Sequence, residues 1–168
     1  AASAAIPCGI DEHGMPFGIQ VVGPNGSDAL VLEVAHALEQ ILVKAATHVA
    51  HKGYDPANLL QARLYPDMFP LLRQVQIACD MAKSGAARLA GMEPPRHEDN
   101  ETSFDELRAR IGKTLAFVAS IDRGLVEGSE ERPIKVPQRD RTLELSGRDY
   151  LFGYVLPNLH FHAATAYN

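Results

Sequence analysis

Cysteine is scarce in this chain. Of its 168 residues 2 are Cys, and Cys8 and Cys79 lie far apart with no CxxC spacing. That excludes a disulfide framework and makes a reducing, cytoplasmic compartment the expected one. Long apolar runs are missing as well. None approaches the roughly 18 residues needed to span a bilayer, and the N-terminus lacks the basic and apolar regions of a secretion signal, so no membrane partner is expected. Positive charge is in deficit: 16 Lys and Arg against 21 Asp and Glu leave a net charge of −5. Nucleic-acid affinity rests largely on cations that neutralise phosphates, so no nucleic-acid partner is expected either. What remains is ordinary globular composition, 46% hydrophobic and 22% charged. A chain of this length is expected to form one domain, or one domain with an appendage.

The pattern along the chain is mainly helical. Gly18 to Val22 is β-prone and bounded by Gly and Pro, which predicts a strand. Asp28 is a suitable N-cap for a helix whose apolar stripe runs Val31, Val34, Leu38, Ile41, Ala45 and ends near Lys52, with Gly53 at the C′ position. Met68, Leu72, Val75, Cys79, Ala82, Ala86 and Leu89 alternate spacings of four and three, which predicts a second helix capped by Asp67 and ended by Gly91. Ser103 and Glu106 form a candidate capping box ahead of Phe104, Leu107, Ile111, Leu115 and Val118, in a helix that Gly112 weakens. Ile134–Val136 and Thr142–Leu145 predict a hairpin, and Ser146 can cap a last helix that Pro157 should kink.

Two textures meet near Glu39 and Gln40. Before them, Pro7-Cys8-Gly9, the run Gly14 to Pro24, and Asp28-Ala29-Leu30-Val31-Leu32 followed by Ala35 to Glu39 resemble the C-terminal end of amidase-signature enzymes. The resemblance covers about the first 40 residues. That family hydrolyses amides with a Ser-Ser-Lys triad set in a Gly/Ser-rich segment far upstream, and no such segment occurs here. No catalytic residue is therefore carried over. The resemblance implies a strand and a covering helix, with Cys8 a small apolar residue beside the strand.

From about Gln40 onward the chain resembles an uncharacterised bacterial family of the DinB/YfiT-like superfamily. The resemblance rests on Lys52-Gly53-Tyr54-Asp55-Pro56, Ala62 to Leu71, Gln74 to Asp80, Arg88-Leu89-Ala90-Gly91, Glu98 to Thr102, Arg110-Ile111 and Leu156 to His162. It implies a DinB-like four-helix bundle, often dimeric, so a homodimer through bundle helices is the expected partner. The expected organisation is an amidase remnant over 1–39 and a bundle over 40–168. The chain opens on Ala1 rather than Met, and the family continues past the equivalent of Tyr167, so a fusion or a C-terminally truncated fragment is expected.

Metal-binding members of the superfamily use one His on the second helix and a His-x-x-x-His pair on the last. Residues i and i+4 share a helix face, so two side chains there can reach one cation. Here the pair aligns with Asn158 and His162, and the second-helix ligand falls near Asp80. The resemblance thus implies either a weak site for Zn or Ni built from His162, Asn158 and Asp80, or a buried polar cluster in which His162 bonds Asn158 or Asp80. Leu151, Val155, Asn158, His162 and Thr165 form one stripe, which points both polar residues inward. His48 and His51 are expected on the surface, His160 on another face, and His13 and His97 in loops. Glu98-Asp99-Asn100-Glu101 lacks the alternation of a calcium loop and is expected to be solvated. The overall expectation is a non-catalytic bundle. Weak metal binding is the alternative, and amidase character rests on the N-terminal resemblance alone.

Overall fold

The structure, a computed structural model, describes residues 2–10, 16–23 and 27–168, with side chains placed from Val34 onward except Ala35. Its order is β1 (Ala2–Ile10), β2 (Pro16–Gly23), α1 (Ser27–Lys52), α2 (Pro56–Leu60), α3 (Leu71–Leu89), α4 (Phe104–Ser120), α5 (Arg123–Val126), β3 (Pro133–Pro137), β4 (Thr142–Ser146), α6 (Gly147–Asp149), a π-helical segment (Tyr150–Val155) and α7 (Leu156–Tyr167). The four long helices close into a ring in which α1 meets α4, α4 meets α3, α3 meets α7 and α7 returns to α1. This is the expected four-helix bundle, with a small hairpin before the last helix and an N-terminal strand appendage.

α1 begins at Ser27, so Asp28 lies inside its first turn instead of capping it, and the helix runs without a break through Glu39 and Gln40, as the unbroken phase of its apolar stripe predicts. It buries Val34, Leu38, Leu42 and Val49, while Ile41 is half-buried. Gly53 adopts φ 66°. Gly53 N–H then reaches Ala50 O and Tyr54 N–H reaches Val49 O, the paired bonds of a Schellman stop. Gly91, with φ 74°, ends α3 in the same way.

α3 begins later than its apolar pattern predicts. Pro70 is the N-cap, so Met68 lies outside the helix and Asp67 does not cap it. The residue before a proline is driven from the α region, so Phe69 cannot be helical and the helix starts only after Pro70. Three elements go beyond the sequence reading, and α5, capped by Asp122, is one of them. β1 pairs antiparallel with β2, with a register shift between Pro7 and Gly9 at Cys8. Asp55 caps the short α2, with Pro56 in its first turn. The α4 capping box forms as expected, with Ser103 Oγ accepting from Glu106 N–H and Glu106 Oε2 accepting from Ser103 N–H.

β3 and β4 form the expected hairpin, Ile134 opposite Leu145 and Val136 opposite Leu143. Ile134 and Val136 bury against Leu89, Tyr150 and Val155 in a small second core. Pro157 is expected to kink the last helix, and what the structure shows there is a change of helix type. The helix widens to π over Tyr150–Val155, and α7 restarts with Pro157 in its first turn, where no N–H is missed.

Candidate functional site

α3 carries two stripes side by side. One is the apolar stripe of the core. The other is Arg73, Gln76, Asp80 and Lys83, which repeat at three, four and three and so share a face. Gln76 and Lys83 are buried on that face. Across from it α4 presents Arg110, which is 3% exposed. A guanidinium so deep requires anionic partners.

Three carboxylates supply them. Arg110 Nη2 lies 3.0 Å from Asp80 Oδ1 and 2.9 Å from Asp99 Oδ1, and its Nη1 lies 2.9 Å from Glu101 Oε1. Nη1 also donates to the Glu98 carbonyl at 2.9 Å. Lys83 Nζ reaches Asp80 Oδ1 at 2.9 Å, and Gln76 Nε2 reaches Glu101 Oε2 at 2.8 Å. Arg73 pairs with Asp99 and donates to Gln76 Oε1 at 3.1 Å. Arg73, Lys83 and Arg110 thus face Asp80, Asp99 and Glu101, three cations to three anions. Glu98, Asp99 and Asn100 are exposed, as the composition of the run predicts, while the carboxylates of Asp99 and Glu101 and the Glu98 carbonyl also tie the loop between α3 and α4 to Arg110.

Titration follows from this packing. Burial opposes charge on Arg110, but Glu101, Asp80 and Asp99 outweigh it and raise its pKa. Burial would raise Asp99 too, yet Arg73 and Arg110 hold it below its ordinary value. Beside them, burial pushes the Cys79 thiol up to about 11, with Arg110 opposing. His97, whose Nδ1 is buried without a partner among the described residues, is pushed down by burial and by Lys83, Lys113 and Arg110.

The structure gives the three metal candidates separate partners. His162, 8% exposed, places Nδ1 2.6 Å from Gln74 Oε1. Gln74, itself 2% exposed, donates its Nε2 to the Phe69 carbonyl at 3.0 Å. Asn158 donates Nδ2 to the Tyr154 carbonyl at 2.7 Å, which serves the widened turn before Pro157. Asp80 belongs to the Arg110 network, six residues beyond Gln74 and so roughly 9 Å further along α3. Among the described residues, no group of three or more His, Cys, Asp and Glu is placed to hold a metal ion. As arranged, this donor set does not converge on one point. Burial, followed by the charge of Arg73, holds the His162 pKa below 6.5, so the ring is neutral at neutral pH.

The other histidines divide by position. His48 and His51 are exposed as expected, His160 is half-buried, and His13 lies outside the described residues. Motif and resemblance do not single out Arg110, Lys83, Gln74 and Gln76 as site residues. The stripe at 73, 76, 80 and 83 is the available signal, because polar residues repeating at helical spacing beside a core stripe need partners across the interface.

Comparison with known proteins fits this architecture. A crystal structure of a DinB family member protein from Shewanella denitrificans superposes with a TM-score of 0.75 at 35% identity, over 83% of this chain and 79% of that one. A glutamyl-tRNA(Gln) amidotransferase subunit from Halothermothrix orenii is 40% identical over 38 residues, and its counterpart from Brevibacillus brevis is 47% identical over 36. Those matches take in 23% and 21% of this chain, and the chain spans only 8% and 7% of the length of these relatives. No helix among the described residues is long and apolar enough to cross a membrane. Residues 27–168 match the family described as "Domain of unknown function (DUF1993)", and the chain belongs to that family.

Proposed function

We propose that this chain is a non-catalytic DinB-like bundle whose first 39 residues descend from an amidase end and now serve as structure. One observation supports it above others: the charged groups buried between α3 and α4, and the His162 Nδ1, are engaged with one another or with Gln74. Asp80, Asp99 and Glu101 bind Arg110, His162 binds Gln74, and burial pushes the Cys79 thiol to about 11. Acyl transfer needs a nucleophile and a base held ready for substrate, and these groups face each other instead. The family match begins at residue 27, so residues 27–39 belong to the bundle as well as to the proposed remnant. A homodimer through helix faces is part of the reading. The test is hydrolysis of glutamine, asparagine and an aryl amide by the purified chain. No ammonia or arylamine above the buffer rate is expected, and sustained turnover overturns the proposal. A monomer mass in sedimentation removes the dimer.

Weak binding of Zn or Ni by His162, Asn158 and Asp80 is a separate proposal, and it requires the three side chains to converge from their present places, with Asp80 leaving Arg110 and Lys83. What favours it is the neutral His162 ring, the form of imidazole that ligates metals. Metal analysis of the purified protein and of His162→Ala decides it. No bound metal, or equal metal in both, removes this reading.

A further inference from the structure

One end of the bundle holds a cleft of about 580 Å³ between α1, α2, the segment that follows α2, and the C-terminal turn of α7. Its walls are apolar, built from Ile41, Leu59, Leu64, Phe69 and Leu71. Leu64 and Phe69 remain 50% and 54% exposed, so the mouth presents large apolar side chains to water. That volume suits a small organic molecule, for which sites run from about 300 to 1,000 Å³.

The charged side chains of the lining are of one sign. Lys44 and Arg63 border the cleft beside the imidazole of His48, and no Asp or Glu side chain does. In a chain of net charge −5 this is a local reversal. Lys44 and His48 lie one turn apart on α1, and Arg63 faces them from the segment after α2, where it donates to the Met68 carbonyl and is anchored. Deeper in, Gln74 lines the cleft, but its oxygen serves His162 and its nitrogen the Phe69 carbonyl. Thr165, Tyr167 and Asn168 add neutral polar groups at the α7 end, and the cationic groups of the lining are Lys44 and Arg63.

We propose that this cleft binds an amphipathic organic anion, a carboxylate with a hydrocarbon body. The body lies against Leu59, Phe69 and Leu71, which removes apolar surface from water on both sides. The carboxylate meets Lys44 and Arg63, and charge at the rim governs selectivity rather than most of the affinity. This goes beyond the non-catalytic reading and does not depend on it.

The probe is sodium decanoate, titrated below its micelle concentration and followed by calorimetry, with decanol and decylammonium as neutral and cationic counterparts. Saturable one-to-one binding of decanoate is expected, with decanol at least threefold weaker and decylammonium weaker still. The double substitution Lys44→Glu with Arg63→Glu changes exposed rim side chains, and its fold is checked by circular dichroism. It should weaken decanoate at least tenfold and leave decanol within twofold. Ala62→Trp, placed at the exposed lining, should weaken both by filling the cleft. Absence of saturable decanoate binding, decanol binding as tightly as decanoate, or a loss under threefold in the double variant overturns the proposal. Self-association abolished by Ala62→Trp would assign the cleft to a second copy and overturn it too.

Discussion

Arg110 on α4 and Asp80 on α3 meet at 3.0 Å, thirty positions apart in sequence, with the arginine side chain 2% exposed and the aspartate 31%. The pair ties the two helices together, and through Asp99 and Glu101 it also ties down the loop between them. Burying a guanidinium costs several kcal/mol before its partners repay it, so the network matters most when one member is removed.

Arg110→Met should therefore destabilise the fold by about 3 kcal/mol, because it leaves Asp80, Asp99 and Glu101 facing one another without their shared cation. The partial exposure of both aspartates keeps the figure at the low end. Arg110→Lys retains the charge but loses the fork that reaches several carboxylates at once, so its stability should fall between those of the native chain and Arg110→Met. Urea denaturation measures both. A loss below about 1 kcal/mol for Arg110→Met would mean that water already replaces the guanidinium.

Stability should fall as pH drops from 7 to 5. His162 is held below 6.5 by burial and by Arg73, and His160 by burial, so the unfolded chain takes up protons in this window before the folded chain does. A depressed folded pKa confers stability that is full above the unfolded value and is lost as pH falls toward the folded one. Thermal melts at pH 7, 6 and 5 should show a declining Tm. His162→Gln should have a shallower decline, and an identical slope would show that the ring protonates freely in the fold.

Two glycine substitutions should act in opposite directions. A Cβ on Gly147 would lie 1.9 Å from the Ser129 carbonyl oxygen, a backbone atom held near by the Arg148 N–H bond to Glu130 O. Gly147→Ala should cost about 1–3 kcal/mol or more through forced displacement. A Cβ on Gly112 meets nothing within 4 Å on α4. Gly112→Ala should stabilise by about 0.5–1 kcal/mol through the unfolded chain's lost freedom. Paired denaturation curves read both signs at once.

Cys79 should resist alkylation in the folded protein. Its thiol is buried between α3 and α4 and pushed up to about 11, so little thiolate exists at neutral pH. Iodoacetamide at pH 8, read by peptide mass spectrometry, should label Cys79 only after denaturant is added. Rapid labelling of the native protein would mean that α3 and α4 open readily.

The elements are legible in the sequence where one local rule settles them. Gly53 and Gly91 end helices because each takes a positive φ, Ser103 and Glu106 cap each other within one turn, and the 134–145 alternation needs only a two-sided ribbon. The start of α3 differs from its pattern because apolar periodicity carries Met68 into a helix that Pro70 forbids. Composition alone points to a solvated 98–101 run, since nothing in those residues announces a buried arginine twelve positions downstream of Glu98.

By itself the sequence determined the four long helices, the stops at Gly53 and Gly91, the Ser103–Glu106 box, the hairpin and the inward face of His162. All of these depend on spacing within a few residues, where backbone geometry leaves few choices. Only the tertiary structure decided which polar groups meet. It gave His162 to Gln74 rather than to Asp80 or Asn158, gave Asp80 to Arg110, and gathered Lys44, His48 and Arg63 around one apolar cleft. Those pairings depend on the rotation and height of one helix against another, which the summed packing of the core sets and no local spacing records.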